Sequence, residues 1–342
     1  MISTRTLTEQ CRQLALDLGF EICGFAPVDV ELHGDYYLRW IAENQHGTMA
    51  WMERNNDRRL EPARILPGAR SIVVVGMNYY QDEPEIRGRI AKYALGKDYH
   101  KIMYKKLKRL CAWMREQGGE QKPYVDTGPV LEKPVAAEAG LGWIGKNTLL
   151  LHRRFGTFLF IGVVITTLPF NTDPVESDHC GSCTRCLDIC PTRAFPAPYQ
   201  LDASRCISYL TIEHQGSIPV KYREAIGNHL YGCDDCLDVC PWNRWAQVTR
   251  ERRFLFQGLP DLAETLAWNE DDFREQFQGT PIMRLKLPRW KRNVCVVLGN
   301  IGNRADLPFL EPLVQGQDDM IAEHAQWATE QINLRAKNHE KG

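Results

Sequence analysis

Eight of the twelve cysteines in this 342-residue chain fall between positions 180 and 240, and their spacing constrains the fold more than any other feature. The first run is Cys180-x-x-Cys183-x-x-Cys186-x-x-x-Cys190-Pro191. The second is Cys233-x-x-Cys236-x-x-x-Cys240-Pro241, and Cys206 stands between them. Thiolates at three-residue intervals on a tight loop turn inward onto one side of a cubane. The fourth cysteine of such a run ligates the other cluster of a two-cluster ferredoxin. The expected sets are Cys180, Cys183, Cys186 and Cys240 for one [4Fe–4S] cluster, and Cys190, Cys206, Cys233 and Cys236 for the other. The proline closing each run lacks an N–H and discourages a helix from continuing. A four-cysteine zinc ribbon is the alternative, but it leaves four ligands without a role.

The setting agrees with metal or redox use. The N-terminus, MISTRTLTEQ, lacks the apolar core of an export signal, so a cytoplasmic chain is expected, in which disulfides are rare. The longest apolar stretch, Phe158 to Pro169, is shorter than the ~18 residues a membrane span needs, so no membrane partner is expected. Cys11, Cys23, Cys111 and Cys295 lie in apolar runs and read as small buried hydrophobes.

Three parts are expected: 1–170, 171–250 and 251–342. The first reads as a mixed α/β or α+β domain. Thr6-x-x-Glu9 resembles a capping box, and Leu7, Cys11, Leu14 and Leu18 share one helical face before Gly19. Strands are expected at Ser71–Gly76 and Phe158–Thr166, and a helix from Tyr99 to Arg115. Apolar strands alternating with helices imply a sheet covered on both faces. In the last part, stripes at Val294, Val297, Leu298, Ile301, then Leu307, Leu310, Leu313, Val314, then Ile321, Ala325, Ala328, Ile332 predict short helices. They suit a HEAT-like arrangement or a plain helical cap.

Clusters move single electrons and do not choose a substrate, so the first part must hold further chemistry. Its glycine-rich stretch, 126–148, carries Gly128, Gly140, Gly142 and Gly145, which allow close backbone approach to a bulky ligand. Asp126 follows a Tyr-Val strand end and is either a functional carboxylate or an Asx-turn residue before Gly128. Gly140-x-Gly142-x-x-Gly145 follows a helix-like segment rather than a strand, so a nicotinamide site is not supported. Asp98-x-His100 suggests a ligand pair, yet Met103 replaces the glycine of the D-x-H-x-x-G cobalamin motif.

A net charge of −1 hides two acid-free basic runs. One holds Lys101, Lys105, Lys106, Lys108, Arg109 and Arg115. The other holds Arg284, Lys286, Arg289, Lys291, Arg292 and Arg304, with Trp290 among them. Such runs suit phosphate contact with an aromatic to stack a base, or serve as solubilising faces.

Together these features resemble the epoxyqueuosine reductase family. The eight cysteines in this order, Asp126-Thr-Gly-Pro, Ala139-Gly-Leu-Gly-Trp-Ile-Gly-Lys146-Asn147, Asp98-Tyr-His100, Cys206-Ile-Ser-Tyr-Leu-Thr and Tyr231-Gly-Cys233-Asp-Asp-Cys236 carry the match. The resemblance implies a cobalamin-binding N-terminal domain, a two-cluster ferredoxin-like domain and a HEAT-like tRNA-binding region. It implies reduction of the epoxide of epoxyqueuosine to queuosine at a tRNA wobble base, with Asp126 as proton donor and an expected raised pKa. Cobalamin contacts are expected from Arg58, Tyr93, Asp98, His100, Asp126, Lys146, Asn147, Thr148 and Leu150. Contacts to the tRNA anticodon stem-loop are expected from Arg284, Lys286, Arg289, Lys291 and Arg292. An external low-potential electron donor and a monomer complete the expectation. The rivals are a small-molecule reductase like the reductive dehalogenases, an electron-transfer ferredoxin module and a corrinoid chaperone.

Overall fold

The computed structural model describes residues 3–30 and 32–339. Helix α1, Thr4–Asp17, begins one turn before the expected capping box. Ser3 is the N-cap and its hydroxyl accepts the Thr6 N–H, so Thr6 already lies within the first turn. Strand β1, Ile22–Pro27, and strand β2, Ser71–Asn78, follow, then helix α2, Tyr99–Glu116, capped by Asp98. Strand β3 is Gln121–Tyr124, helix α3 is Glu132–Glu138 and strand β4 is Leu159–Thr166.

The sheet order is β1-β2-β4-β3 and every neighbouring pair is antiparallel. On one face Phe25, Val73, Val75 and Val164 meet Cys11 of α1 and Met103, Leu107 and Cys111 of α2. On the other, Ala26, Ile72, Val74, Val163 and Ile165 meet Val135 and Ala136 of α3. The expected double covering is present, and the antiparallel pairing makes the arrangement α+β rather than parallel α/β.

Helix α4, Ile207–Ile212, follows Cys206 directly. Helices α5, Lys286–Ile301, α6, Leu307–Val314, and α7, Asp319–His339, carry the three apolar stripes; α5 and α6 both pack on α7. Their core reaches across the chain to Ile90, Ala94, Leu95, Leu230 and Tyr231. Arg89–Ile90 also pairs with His229–Tyr231 in parallel. The three expected parts are therefore interlocked, and residues near 90 belong to the C-terminal core.

Trp290 is fully buried in that core, its indole N–H donating to Thr265 Oγ1 at 3.1 Å. It has no face to offer a base, which corrects the stacking expectation. Cys11, Cys23, Cys111 and Cys295 are all buried. Burial pushes the thiols of Cys23 and Cys295 up to about 12 and that of Cys111 to about 11, so they remain neutral core residues. Among the described residues no helix is long and apolar enough to cross a membrane.

Candidate active site

The cysteine runs each fold into a loop closed by one turn of helix, Arg185–Asp188 and Asp235–Asp238, and these two turns lie against each other. Cys180, Cys183, Cys186 and Cys240 line one cavity of about 220 Å³ with Lys146, Asn147, His179 and Trp242. Burial pushes the Cys186 thiol up to about 11, and Cys240, Cys180 and Cys183 add to it in that order. In the second set, burial and then Cys206 and Cys233 raise Cys236, while Cys190 adds to the rise of Cys206. The mutual repulsion thus runs within each expected set, with Cys186 and Cys236 the point of contact between them. Thiols raised in this way become thiolates only beside a cationic metal centre.

The surroundings fit a cluster. Trp143 packs edge-on against Trp242 and His179, both with centroids 4.9 Å away, and its buried indole N–H makes no hydrogen bond of ordinary geometry. Burial raises the Cys180 thiol, and the Lys146 backbone N–H and then that nearby indole counter it by favouring the thiolate. Lys146 Nζ donates to the carbonyls of Gly181 at 2.6 Å and Cys183 at 3.0 Å. Asn147 Nδ2 donates to the Cys236 carbonyl at 3.2 Å. Lys146 and Asn147, expected at cobalamin, here brace the two cysteine loops.

A separate cleft of about 930 Å³ opens between the sheet domain, α4 and the start of the C-terminal helices. Asp126 lies in its wall, just beyond β3, with its side chain 56% exposed. His100 Nε2 is 3.1 Å from Asp126 Oδ2, and His100 Nδ1 is 2.6 Å from Asp98 Oδ1. Tyr99 stacks on Phe160 of β4 at 4.0 Å and 7°, which fixes the start of α2 against the sheet. Arg284 Nη2 reaches His100 from the other side, 3.1 Å from Nδ1.

These partners decide the protonation states. Burial alone would raise Asp126, but His100, Tyr99 and Arg284 outweigh it and hold the carboxyl below its ordinary value. The expected raised pKa is therefore corrected: Asp126 rests as a carboxylate. Burial lowers His100, yet the bonds to Asp126 and Asp98 prevail and raise it. Two other cleft carboxyls are raised: Glu132, pushed up to about 8 by burial and then by the Asp126 charge, and Glu213, raised by burial.

Of the nine expected cobalamin contacts, Asp126 lines the cleft and Asp98 and His100 join it through hydrogen bonds. Tyr93 stands behind Tyr99, ring centroids 6.3 Å apart. Leu150 is buried in the core on the far face of the sheet, and Arg58 is exposed outside the cleft wall. Thr148, at φ +62°, turns the chain after Asn147 and is likewise absent from the wall. The neighbour of Arg58, Arg59, is the residue that lines the cleft. Gly140 and Gly142 serve the chain itself: a Cβ on Gly142 would sit 1.9 Å from the Leu151 carbonyl oxygen, and one on Gly140 2.5 Å from that of Pro174. This corrects the expectation that those two open space for a ligand, while Gly128 does line the cleft. Tyr99, Arg59, Glu132, Lys133 and Glu213 also line the cleft and were missed; only Tyr99 lay inside a quoted motif.

The basic run divides. Arg284 and Arg289 line the cleft, Lys286 is exposed and Lys291 half-buried. Arg289 donates to the Ile212 and Arg284 carbonyls. Arg292 is fully buried, bonded to the carbonyls of Leu210, His214 and Gly216. It is a structural tie and no tRNA contact, a second correction. In the first run Lys106 is tied to the Leu18 carbonyl at 2.9 Å.

A redox loop domain beside a cleft with a carboxylate–imidazole pair defines an iron–sulfur oxidoreductase. Comparison with known proteins narrows this. Residues 179–243 match a 4Fe-4S double cluster binding domain, and residues 59–127 match the family described as Epoxyqueuosine reductase QueG, DUF1730. The epoxyqueuosine reductase of Xanthomonas campestris pv. campestris is 41% identical over 94% of this chain and 95% of its own. A crystal structure of epoxyqueuosine reductase with an epoxyqueuosine-modified tRNA-Tyr stem loop superposes with TM-score 0.91 and 31% identity, over 96% of this chain and 91% of that one. The Bacillus subtilis epoxyqueuosine reductase, solved with its catalytic aspartate loop swung out of the active site, gives 0.89 at 30% identity, over 99% and 94% of the two chains. The chain belongs to the epoxyqueuosine reductase family.

Proposed function

We propose that this protein reduces the epoxide of epoxyqueuosine to the alkene of queuosine in tRNA, with Asp126 delivering the proton that the departing oxygen takes up. The observation that carries this is the Asp98–His100–Asp126 chain opening into a cleft beside the cysteine loops. The first and second thiol sets would hold the two [4Fe–4S] clusters. Cys236 senses Cys186 on one side, and Lys133 senses both Asp126 and Cys236 on the other. Both couplings support a second set lying toward the cleft, the order that stepwise electron delivery would use.

The cleft suits cobalamin. Its wall is largely apolar, with Leu131, Pro134, Leu159, Phe160, Ile161 and Ile212. Arg59 is buried there with only long contacts, 3.2 Å to the Arg54 carbonyl, 3.4 Å to Trp51 and 3.5 Å to Gly128, which leaves donor capacity for a corrin amide or phosphate. When bound, the corrinoid supplies a strong cobalt-centred reductant. The protein's part is proton supply and exclusion of water. Asp98 holds His100 Nδ1–H, so Nε2 faces Asp126 and would pass its proton to Oδ2, from which the substrate oxygen takes it, leaving His100 neutral. The swung-out loop of the Bacillus subtilis relative is read here as the turn around Asp126. Residues 1–170 would form the catalytic domain, 171–250 the cluster domain, and 251–342 the HEAT-like region that receives the anticodon stem-loop. A low-potential electron donor, a cytoplasmic setting and a monomeric state belong to the same reading.

The test is anaerobic purification, reconstitution with cobalamin, and incubation with an epoxyqueuosine-bearing stem-loop under chemical reduction. About eight irons and one cobalt per chain, with conversion to queuosine by mass spectrometry, are expected. Iron without cobalt and without conversion would leave an electron-transfer module. Conversion of a halogenated phenol in place of the stem-loop would favour a small-molecule reductase.

A further inference from the structure

Asp126 sits at φ +60°, a left-handed conformation uncommon outside glycine that aspartate tolerates better than most residues. The turn is tight, with the Thr127 N–H donating to the Val125 carbonyl at 2.6 Å. Its own bonds do not account for holding Asp126 in the cleft. Two hydrogen bonds from outside do so, with Tyr99 and Arg284 also acting on the carboxylate. His100 takes the carboxylate, and the Asp126 N–H donates to Glu132 Oε1 at 2.6 Å. Arg59 adds only a 3.5 Å contact to the Gly128 carbonyl. Among the described residues, Glu132 is the one side chain that grips the Asp126 backbone.

We propose that Glu132 is the latch of the catalytic turn: a positioning residue that holds Asp126 inside the cleft by accepting its amide. This rests on the reading of Asp126 as proton donor on a turn that can swing. Glu132 is the first residue of α3, which packs Val135 and Ala136 onto the far face of the sheet. The latch is therefore anchored on a helix packed against the sheet. A glutamate at a helix start ordinarily favours the helix N-terminus. Here its Oε1 instead reaches back six residues. Burial and the Asp126 charge raise its pKa, so near neutrality it accepts the amide without setting a second full negative charge beside Asp126. The arrangement lets the turn release when the bond breaks, which is what admission of a macrocycle or a flipped nucleotide requires.

The test uses the full-length reconstituted protein with Glu132→Ala and Glu132→Gln. Glu132→Ala is expected to lower kcat ~10- to 100-fold, the scale of an ångström-sized misplacement, and to change the KM for the stem-loop less than about twofold. Backbone hydrogen exchange in a peptide covering 125–131 should quicken by roughly tenfold or more, while β2 and β4 stay protected. Glu132→Gln keeps the accepting oxygen and should recover most of the rate and the protection. Wild-type kcat and exchange in Glu132→Ala overturn the latch. So does a Glu132→Gln variant as impaired as Glu132→Ala, because the carboxyl would then act in chemistry. The two readings separate through Asp126→Asn: full activity in that variant defeats the proton donor, while the exchange measurement on the Glu132 variants still decides the latch.

Discussion

Arg284, at the entry to the C-terminal helices, sets its Nη2 3.1 Å from Nδ1 and 3.2 Å from Nε2 of His100, the imidazole that bonds Asp98 and Asp126. A cation expected to touch RNA thus stands against the His100–Asp126 pair. Its charge opposes protonation of His100, while burial and the two carboxylates set the balance. Arg284→Gln is therefore expected to weaken stem-loop binding and also to move the alkaline limb of the pH–rate profile upward. Weaker binding with an unmoved limb would confine Arg284 to RNA contact.

Asp126→Asn should retain iron, cobalt and stem-loop affinity but lose turnover by at least ~10²-fold, the scale of removing a general acid. Metal analysis, a binding isotherm and single-turnover rates on one preparation check all three. Comparable rates in variant and wild type would move proton delivery elsewhere in the cleft.

Lys286 and Arg292 should part company. Lys286 is exposed, so Lys286→Gln is expected to weaken RNA binding and reduce the salt slope by ~0.7–0.9 per lost phosphate contact. Arg292→Met leaves three carbonyls, that of Leu210 buried and the other two partly so, short of a donor, so its main effect should be a fall in thermal stability. An unchanged melting temperature with a flatter salt slope in Arg292→Met would reverse the assignment.

What the chain discloses about itself follows from how local each interaction is. The two-cluster cysteine pattern could be read because most of its cysteines sit three or four residues apart on single loops. The cleft could not, because its wall joins segments near 50, 126, 160, 212 and 284. Arg58 and Arg59 show the limit of motif reading. One residue turns a helical side chain by about 100°, which here separates open surface from the cleft. Arg292 shows another limit, since an acid-free run looks unpaired in sequence although backbone carbonyls supply its partners. The apolar stripes, by contrast, forecast α5, α6 and α7 because burial periodicity is a property of each helix alone.

Gly142 offers a check on what the glycine-rich stretch is for. Its φ of +147° and the Leu151 carbonyl in the path of a Cβ make Gly142→Ala costly to folding, by about 2 kcal/mol or more. The expected result is a lower melting temperature, with normal iron and cobalt content in whatever remains folded. A stable variant that loses only cobalamin would restore the glycines as ligand-facing.

The carboxylate–imidazole cluster also makes stability depend on pH in a defined sense. Asp126 and Asp98 are held below their ordinary values: burial opposes this, and the bonds to His100 prevail in each. Their contribution is therefore present above about pH 4 and fades as pH falls through the lowered values. His100 is raised, so its contribution is complete below about pH 6.5 and fades as pH rises through the higher folded value. Between those limits the imidazolium lies between two carboxylates, and above them it reverts to a neutral ring. The melting-temperature gap between wild type and His100→Gln should be widest near pH 6 and narrow steadily toward pH 9. The narrowing follows from loss of the His100 proton, since Asp98 and Asp126 stay ionised throughout. A gap that stays constant over that range would mean His100 acts through packing against Tyr99, whose ring centroid lies 4.0 Å away, and not through charge.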